Sequence, residues 1–141
     1  MIQLNKTALD QMINDAVKTF PDECCGFLFG REEGADRVIS HVLVVNNSQQ
    51  GDKRRRFEIA PKDYLGAEAF ADSNGLQLLG IYHSHPNHPA VPSEHDRIAA
   101  QPYFSYVIIS IVNGTFDHLR SWQLNEAFQF DEELIDPFIN N

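Results

Sequence analysis

Only two of the 141 residues are cysteine, and they are neighbours, Cys24 and Cys25. Adjacent cysteines rarely bridge each other without strain, so a disulfide framework is excluded. No CxxC spacing is present to make them metal ligands, which leaves buried packing as their expected role. Basic residues are also scarce: 11 Lys and Arg stand against 20 Asp and Glu, for a formal charge of −9. That balance argues against nucleic acid or an anionic membrane surface as the main partner. No apolar run approaches the roughly 20 residues of a membrane span. The start, MIQLNKTALDQ, has no charged stretch followed by an apolar run, so no signal peptide is expected. Internal repeats and low-complexity segments are absent too. What remains is a soluble, reduced, cytoplasmic protein with a single domain over residues 1–141, its core supplied by ten phenylalanines and other apolar residues.

Apolar residues at helical spacing, Leu9, Met12, Ile13, Ala16, Val17 and Phe20, predict an amphipathic helix from about Thr7 to Phe20, capped by Asn5 or Thr7 and stopped by Pro21. A strand leading to Gly30 follows, then a polar turn over Arg31 to Asp36 and a second strand over Val38 to Val45. Asn46 to Arg55 is rich in turn formers, and Phe57 to Ala60 predicts a short strand. Pro61 opens a helix that Asn74-Gly75 ends. Gln77 to Tyr82 reads as a buried strand, Ser93 to about Gln101 as a helix, and Tyr106 to Val112 as a central strand. Asn113-Gly114 is a hairpin signal leading into Phe116 to Leu124, and the tail from Asn125 folds back or forms a contact surface. Alternating strands and helices with intervening hairpins predict an α/β (α+β) class, a mixed curved β-sheet flanked by helices.

The chemistry concentrates in His83 to Asp96, HSHPNHPAVPSEHD. His83 and His85 extend the preceding strand two positions apart, so both imidazoles point to one face. Pro86, Pro89 and Pro92 stiffen the loop, and Ser93 as N-cap puts Asp96 in the first turn of the next helix. Two imidazoles and one carboxylate predict a zinc site with a fourth position left for water. Glu23, between a helix end and a buried strand, is the upstream candidate for the proton acceptor. Ser93 has a second expected role, donating its hydroxyl to a developing oxyanion. His88 and His95 read as solvent-facing, or else as supports behind the metal ligands, and His41 and His118 as strand residues without function. Lys53 to Arg56 is a basic cluster that reads as a solvated loop, or as a steering patch for an acidic partner or a substrate carboxylate.

The pattern His83-x-His85-Pro86, six residues, Ser93, two residues, Asp96, with Glu23 in PDECCGFLFG, resembles the JAMM motif of the JAB1/MPN zinc metallopeptidase family in its small standalone prokaryotic type. Arg56-Phe57-Glu58-Ile59 and the following helix are similar to the family's middle section, so the resemblance covers most of the chain. It implies His83, His85 and Asp96 as ligands of one Zn2+ per chain, Glu23 as general base and acid, and Ser93 as oxyanion support. It also implies a cytidine-deaminase-like sheet, without the deaminase HxE and PCxxC motifs. The implied substrate is a ubiquitin-like or sulfur-carrier protein cleaved after its C-terminal Gly-Gly. A homodimer is allowed, with neither nucleic acid nor membrane as partner. The rival expectations are a non-haem iron oxygenase, a non-catalytic interaction module, and a DNA-associated branch of the family that the acidic charge disfavours.

Overall fold

The computed structural model describes residues 1–136. Its elements run β1 (Ile2–Leu4), α1 (Lys6–Thr19), β2 (Cys25–Glu33), β3 (Asp36–Val45), α2 (Pro61–Asn74), β4 (Gln77–Pro86), α3 (Glu94–Ala99), β5 (Ser105–Val112), β6 (Thr115–Leu124) and β7 (Phe130–Glu133). The strands form one sheet in the order β1-β3-β2-β4-β5-β6-β7. β1 with β3 and β4 with β5 are parallel, and the other pairs are antiparallel, which is the mixed sheet the sequence predicts.

α1 and α2 cover opposite faces of the sheet. Asn5 caps α1 by accepting a hydrogen bond from the Ala8 N–H at 2.8 Å. Ala8, Met12 and Ala16 recur every four residues and bury against Leu28, Ile39, Leu79 and Val107. α2 starts on Pro61 and ends on Gly75 in the left-handed region, at φ 64°. Its Ala67 and Ala71 pack on the opposite face, against Phe27, Phe29 and Ile81. With both faces covered, β4 and β5 are buried along almost their whole length. Among the described residues no helix is long and apolar enough to cross a membrane.

Three local expectations need correction. β2 continues through Glu33, so the turn narrows to Gly34-Ala35, with Gly34 at φ 62°. Phe57 to Ala60 is not a strand of the sheet. Asn47 and Ser48 hold it instead: Asn47 Oδ1 accepts from the Glu58 N–H at 3.1 Å, and the Glu58 carbonyl accepts from Ser48 Oγ at 2.9 Å and from the Ser48 N–H at 2.8 Å. α3 ends at Ala99, two residues before the predicted end.

The tail folds back on the sheet, first as β7 beside β6. It then reaches the opposite edge, where the Ile2 N–H donates to the Leu134 carbonyl and the Asp136 N–H donates to the Ile2 carbonyl, each at 2.9 Å. Phe138 and Ile139, assigned to the same tail, lie outside the described residues.

The central parallel pair depends on one missing side chain. A Cβ on Gly80 would lie 2.0 Å from the Ser105 carbonyl oxygen, the residue it pairs with across β4 and β5. Backbone cannot rotate away as a side-chain tip can, so Gly80→Ala should cost about 3 kcal/mol, or on the order of 10 °C in the thermal midpoint. A midpoint within about 1 °C of the parent in thermal denaturation would contradict this close approach.

Candidate metal centre

Strand register assembles the site from distant parts of the sequence. Ile81, His83 and His85 alternate on one face of β4. β2 runs antiparallel beside it with Cys25 opposite His83. The pairing continues where the Ser84 N–H donates to the Cys24 carbonyl at 3.3 Å and the Cys24 N–H donates to Ser84 Oγ at 2.8 Å. Glu23, one residue further out, is thereby set beside the imidazoles. Its own backbone is fixed by the 46–58 loop: its N–H donates to the Lys53 carbonyl at 2.7 Å, and its carbonyl accepts from Asn47 Nδ2 at 3.1 Å.

Asp96 arrives through a capping box at the start of α3. Ser93 Oγ accepts from the Asp96 N–H at 3.0 Å, and the Ser93 N–H donates to Asp96 Oδ2 at 2.9 Å. Glu23, His83, His85 and Asp96 are all buried, whereas Ser93 is exposed. The structure sets Glu23 beside His83, Asp96 against both imidazoles, and Ser93 on the capping box of Asp96.

The donor geometry defines where a cation fits. His85 Nδ1 lies 2.9 Å from the Pro89 carbonyl, which can only accept, so Nδ1 carries a proton and Nε2 is the nitrogen turned to Asp96. That Nε2 faces Asp96 Oδ2 at 3.1 Å, and His83 Nε2 lies 3.9 Å from Asp96 Oδ1. An unprotonated imidazole nitrogen and a carboxylate oxygen at this range repel unless a proton or a cation stands between them. On the other side, His83 Nδ1 and Glu23 Oε1 are 3.4 Å apart, and both are buried without a hydrogen-bond partner.

One donor atom each from Glu23, His83 and His85 falls within a 4.8 Å span, so this Glu-His-His group could hold a metal ion. Asp96 is the carboxylate against His85 Nε2, while Glu23 faces Nδ1 of His83. Two imidazoles with carboxylate oxygens suit zinc. Burial by itself would raise the Asp96 pKa, but the positive charge His83 can carry and the hydrogen bonds from His85 and the Ser93 N–H outweigh it and hold the carboxyl well below its usual range. Burial works against a charged His85, yet its contact with Asp96 and its bond to Pro89 raise its pKa.

Residues 5–125 match the Prok-JAB family, the prokaryotic homologs of the JAB domain. The chain belongs to this family. Among curated relatives, the Prok-JAB chain is 33% identical over 113 residues to a desampylase of Pyrococcus furiosus, covering 80% of the chain and 74% of the relative. It is 30% identical over 127 residues to the CysO-cysteine peptidase of Mycobacterium tuberculosis, covering 89% and 84%. It is also 34% identical over 107 residues to a probable TtuB-protein conjugate cleaving protease of Thermus thermophilus, covering 76% and 65%. The solution structure of a Desulfitobacterium hafniense protein superposes with a TM-score of 0.85 at 36% identity, covering 96% of this chain and 92% of that one. A JAB1/MPN domain protein from Archaeoglobus fulgidus shares the fold at a TM-score of 0.59 and 15% identity over 96% and 95% of the two chains.

Several supports of this Prok-JAB site carry no local sequence signal. Phe57 stacks on His83 with ring centroids 4.4 Å apart and planes 26° apart. His118 Nε2 accepts from the Ala90 N–H at 3.1 Å, and Trp122 Nε1 donates to the Ala90 carbonyl at 3.0 Å, so β6 anchors the loop that carries Pro89. His118 is therefore a scaffold residue. His41 contacts its neighbour Ser40 and stays outside the site. His88 is exposed as expected, but His95 is half-buried and lines a cleft.

Two clefts flank the four donors. One, of about 330 Å³, lies on the His83 and Asp96 side and is walled by Phe57, Ile59, Tyr64 and Tyr106. The other, of about 350 Å³, lies on the Glu23, His85 and Ser93 side.

The cysteines pack as predicted. Both are buried and unpaired. Burial, reinforced by the charges of Asp15, Glu23 and Asp63, pushes the Cys25 thiol up to about 12, and burial raises Cys24 as well. An aromatic disulfide reagent at pH 8 should titrate neither thiol in the native protein and both in denaturant. A single fast-reacting native thiol would contradict this packing.

Proposed function

We propose that the chain is a zinc-dependent peptidase that hydrolyses the amide after the C-terminal Gly-Gly of a ubiquitin-like or sulfur-carrier protein, in a reduced cytoplasmic setting. The observation that carries the proposal is the unsatisfied confrontation of His83 Nδ1 with Glu23 Oε1, beside the contact of His85 Nε2 with Asp96 Oδ2, in a chain whose relatives are named as peptidases and conjugate-cleaving proteases. His83, His85 and Asp96 would hold the zinc. Asp96 suits this role because its capping bond fixes its orientation and the site keeps it ionised. When bound, the zinc supplies Lewis acidity to water and to the scissile carbonyl.

The remaining roles fall to side chains already in position. Glu23 Oε1, buried and unpartnered, accepts a proton from the attacking water and returns it to the leaving amine as the C–O bond forms and the C–N bond breaks. Ser93 Oγ already accepts from the Asp96 N–H, so its hydroxyl hydrogen is left to donate to the carbonyl oxygen as charge develops there. The tail of the carrier fits the apolar cleft beside Phe57. There Asn47 and Ser48 engage the backbone of Glu58 on one side of an extended segment. The backbone groups of Phe57 and Ile59 alternate to the other side, available to an incoming extended tail.

The test joins metal analysis to a cleavage assay, using a sulfur-carrier protein extended by one residue after its Gly-Gly. About one zinc per chain and chelator-sensitive release after the second glycine are the expected results. Zinc with stoichiometric carrier binding and no cleavage would replace the peptidase by a binding module. No metal bound and none taken up would overturn the site.

A further inference from the structure

The second cleft contains a feature that hydrolysis itself does not need. Besides Glu23, His85 and Ser93, it is lined by Arg54 and Arg55. They belong to Lys53-Arg54-Arg55-Arg56, a run of four bases in a chain of net charge −9. The turn that presents them is organised: the Arg54 N–H donates to Asp52 Oδ1 at 3.0 Å, and the Arg55 and Arg56 N–H groups donate to the Asp52 carbonyl at 3.2 Å. It is also tied to the site, because the Lys53 carbonyl accepts the Glu23 N–H. A mobile solvated loop would need neither bond. Arg55 stands 3.7 Å from Asp52, with both side chains largely exposed. Among the described residues the Arg54 guanidinium has no acceptor.

The position of Glu23 decides which end of the substrate this cleft receives. Resting on the peptidase reading above, the carboxylate that returns a proton to the leaving amine must face that amine. Glu23 lines the second cleft and not the first. The leaving group therefore departs on the side of the two arginines, while the acyl tail occupies the apolar side. Glu23 is the only acid lining this second cleft. Guanidinium groups pair with carboxylates through parallel hydrogen bonds.

We propose that Arg54 and Arg55 form an anion subsite for the free α-carboxylate of the leaving group, so that the enzyme prefers carriers bearing a terminal amino acid over carriers joined to a lysine side chain of a folded protein. A lysine inside a protein presents no carboxylate close to the scissile amide. A single amino acid places one two bonds from the released nitrogen.

The test compares one carrier in three forms: extended after Gly-Gly by alanine with a free carboxylate, by alanine carboxamide, and joined to a lysine side chain of a protein. The zinc-loaded parent should cleave the free acid with a kcat/KM about tenfold above the carboxamide, the scale of one charge-assisted hydrogen bond in a partly exposed site. In Arg54→Ala and Arg55→Ala the ratio should fall toward one, with the change carried by KM for the free acid. Calorimetric binding to zinc-loaded Glu23→Gln should show the same preference, and adding Arg54→Ala should abolish it. Equal cleavage of acid and amide by the parent, faster cleavage of the lysine conjugate, or an undiminished preference in both arginine variants would overturn the subsite. Failure of the zinc-loaded parent to cleave any of the three forms would instead overturn the hydrolase reading on which the subsite rests.

Discussion

Zinc-loaded Glu23→Gln should bind one metal per chain and turn over about 10²–10⁴ times more slowly than the parent. The substitution nearly preserves shape in a side chain that is 4% exposed, and it leaves His83, His85 and Asp96 intact. It removes the ability to hold a proton at Oε1, the buried atom that faces His83 Nδ1 without a hydrogen-bond partner. Folding should be little affected, because the lost charge has no hydrogen bond to give up and its backbone stays tied to Lys53 and Asn47. Metal content, thermal midpoint and single-turnover rate measured together separate the roles. Activity within a few-fold of the parent at full zinc occupancy would remove Glu23 from proton transfer.

Chelation should lower the thermal midpoint on the order of 10 °C. A ligand present at about a thousand times its dissociation constant stabilises the folded state by about 4 kcal/mol. For a chain of this size each kcal/mol moves the midpoint by about 3 °C. The sign follows from the buried His83 Nδ1 and Glu23 Oε1, which face one another at 3.4 Å without a hydrogen-bond partner. Asp96→Asn should abolish the zinc-dependent shift. Because Asp96 also closes the capping box of α3, Ser93→Ala provides the control: it should cost about 1 kcal/mol of stability yet retain most of the shift. A chelator that leaves the parent's midpoint unchanged would argue that these donors hold no metal.

The sequence revealed the local half of this site and little of the rest. His83, His85, Ser93 and Asp96 lie within 14 residues, where strand alternation and helix capping fix directions without tertiary knowledge. Glu23 is 60 residues upstream of His83, and only the pairing of Cys25 with His83 brings it in. No local pattern encodes that register, so family resemblance supplied what periodicity could not. Phe57 illustrates the opposite failure. Its apolar neighbours predicted a strand, but the segment is held through Glu58 by Asn47 and Ser48 rather than by the sheet ladder, and the Phe57 ring lies on an imidazole. His118 and Trp122 support the loop only because β6 passes beneath it, which hydrophobic periodicity in β6 does not announce. Helix ends fared better, since Asn5, Pro61, Gly75 and Ser93 act through bonds within a few residues of themselves.

The return of the tail to β1 bears on how copies of this protein behave toward one another. Exposed sheet margins are templates onto which a second molecule can add a strand, and such growth seeds insoluble assemblies. Here the Ile2 margin is occupied by Leu134 and Asp136, and the outermost strand, β7, is four residues long with three acids, Asp131, Glu132 and Glu133. Repulsion between identical acidic margins discourages edge-on stacking in concentrated solution. Any pairing of two copies is thereby directed to side-chain surfaces, and colloidal solubility becomes a property of the last strand rather than of the core.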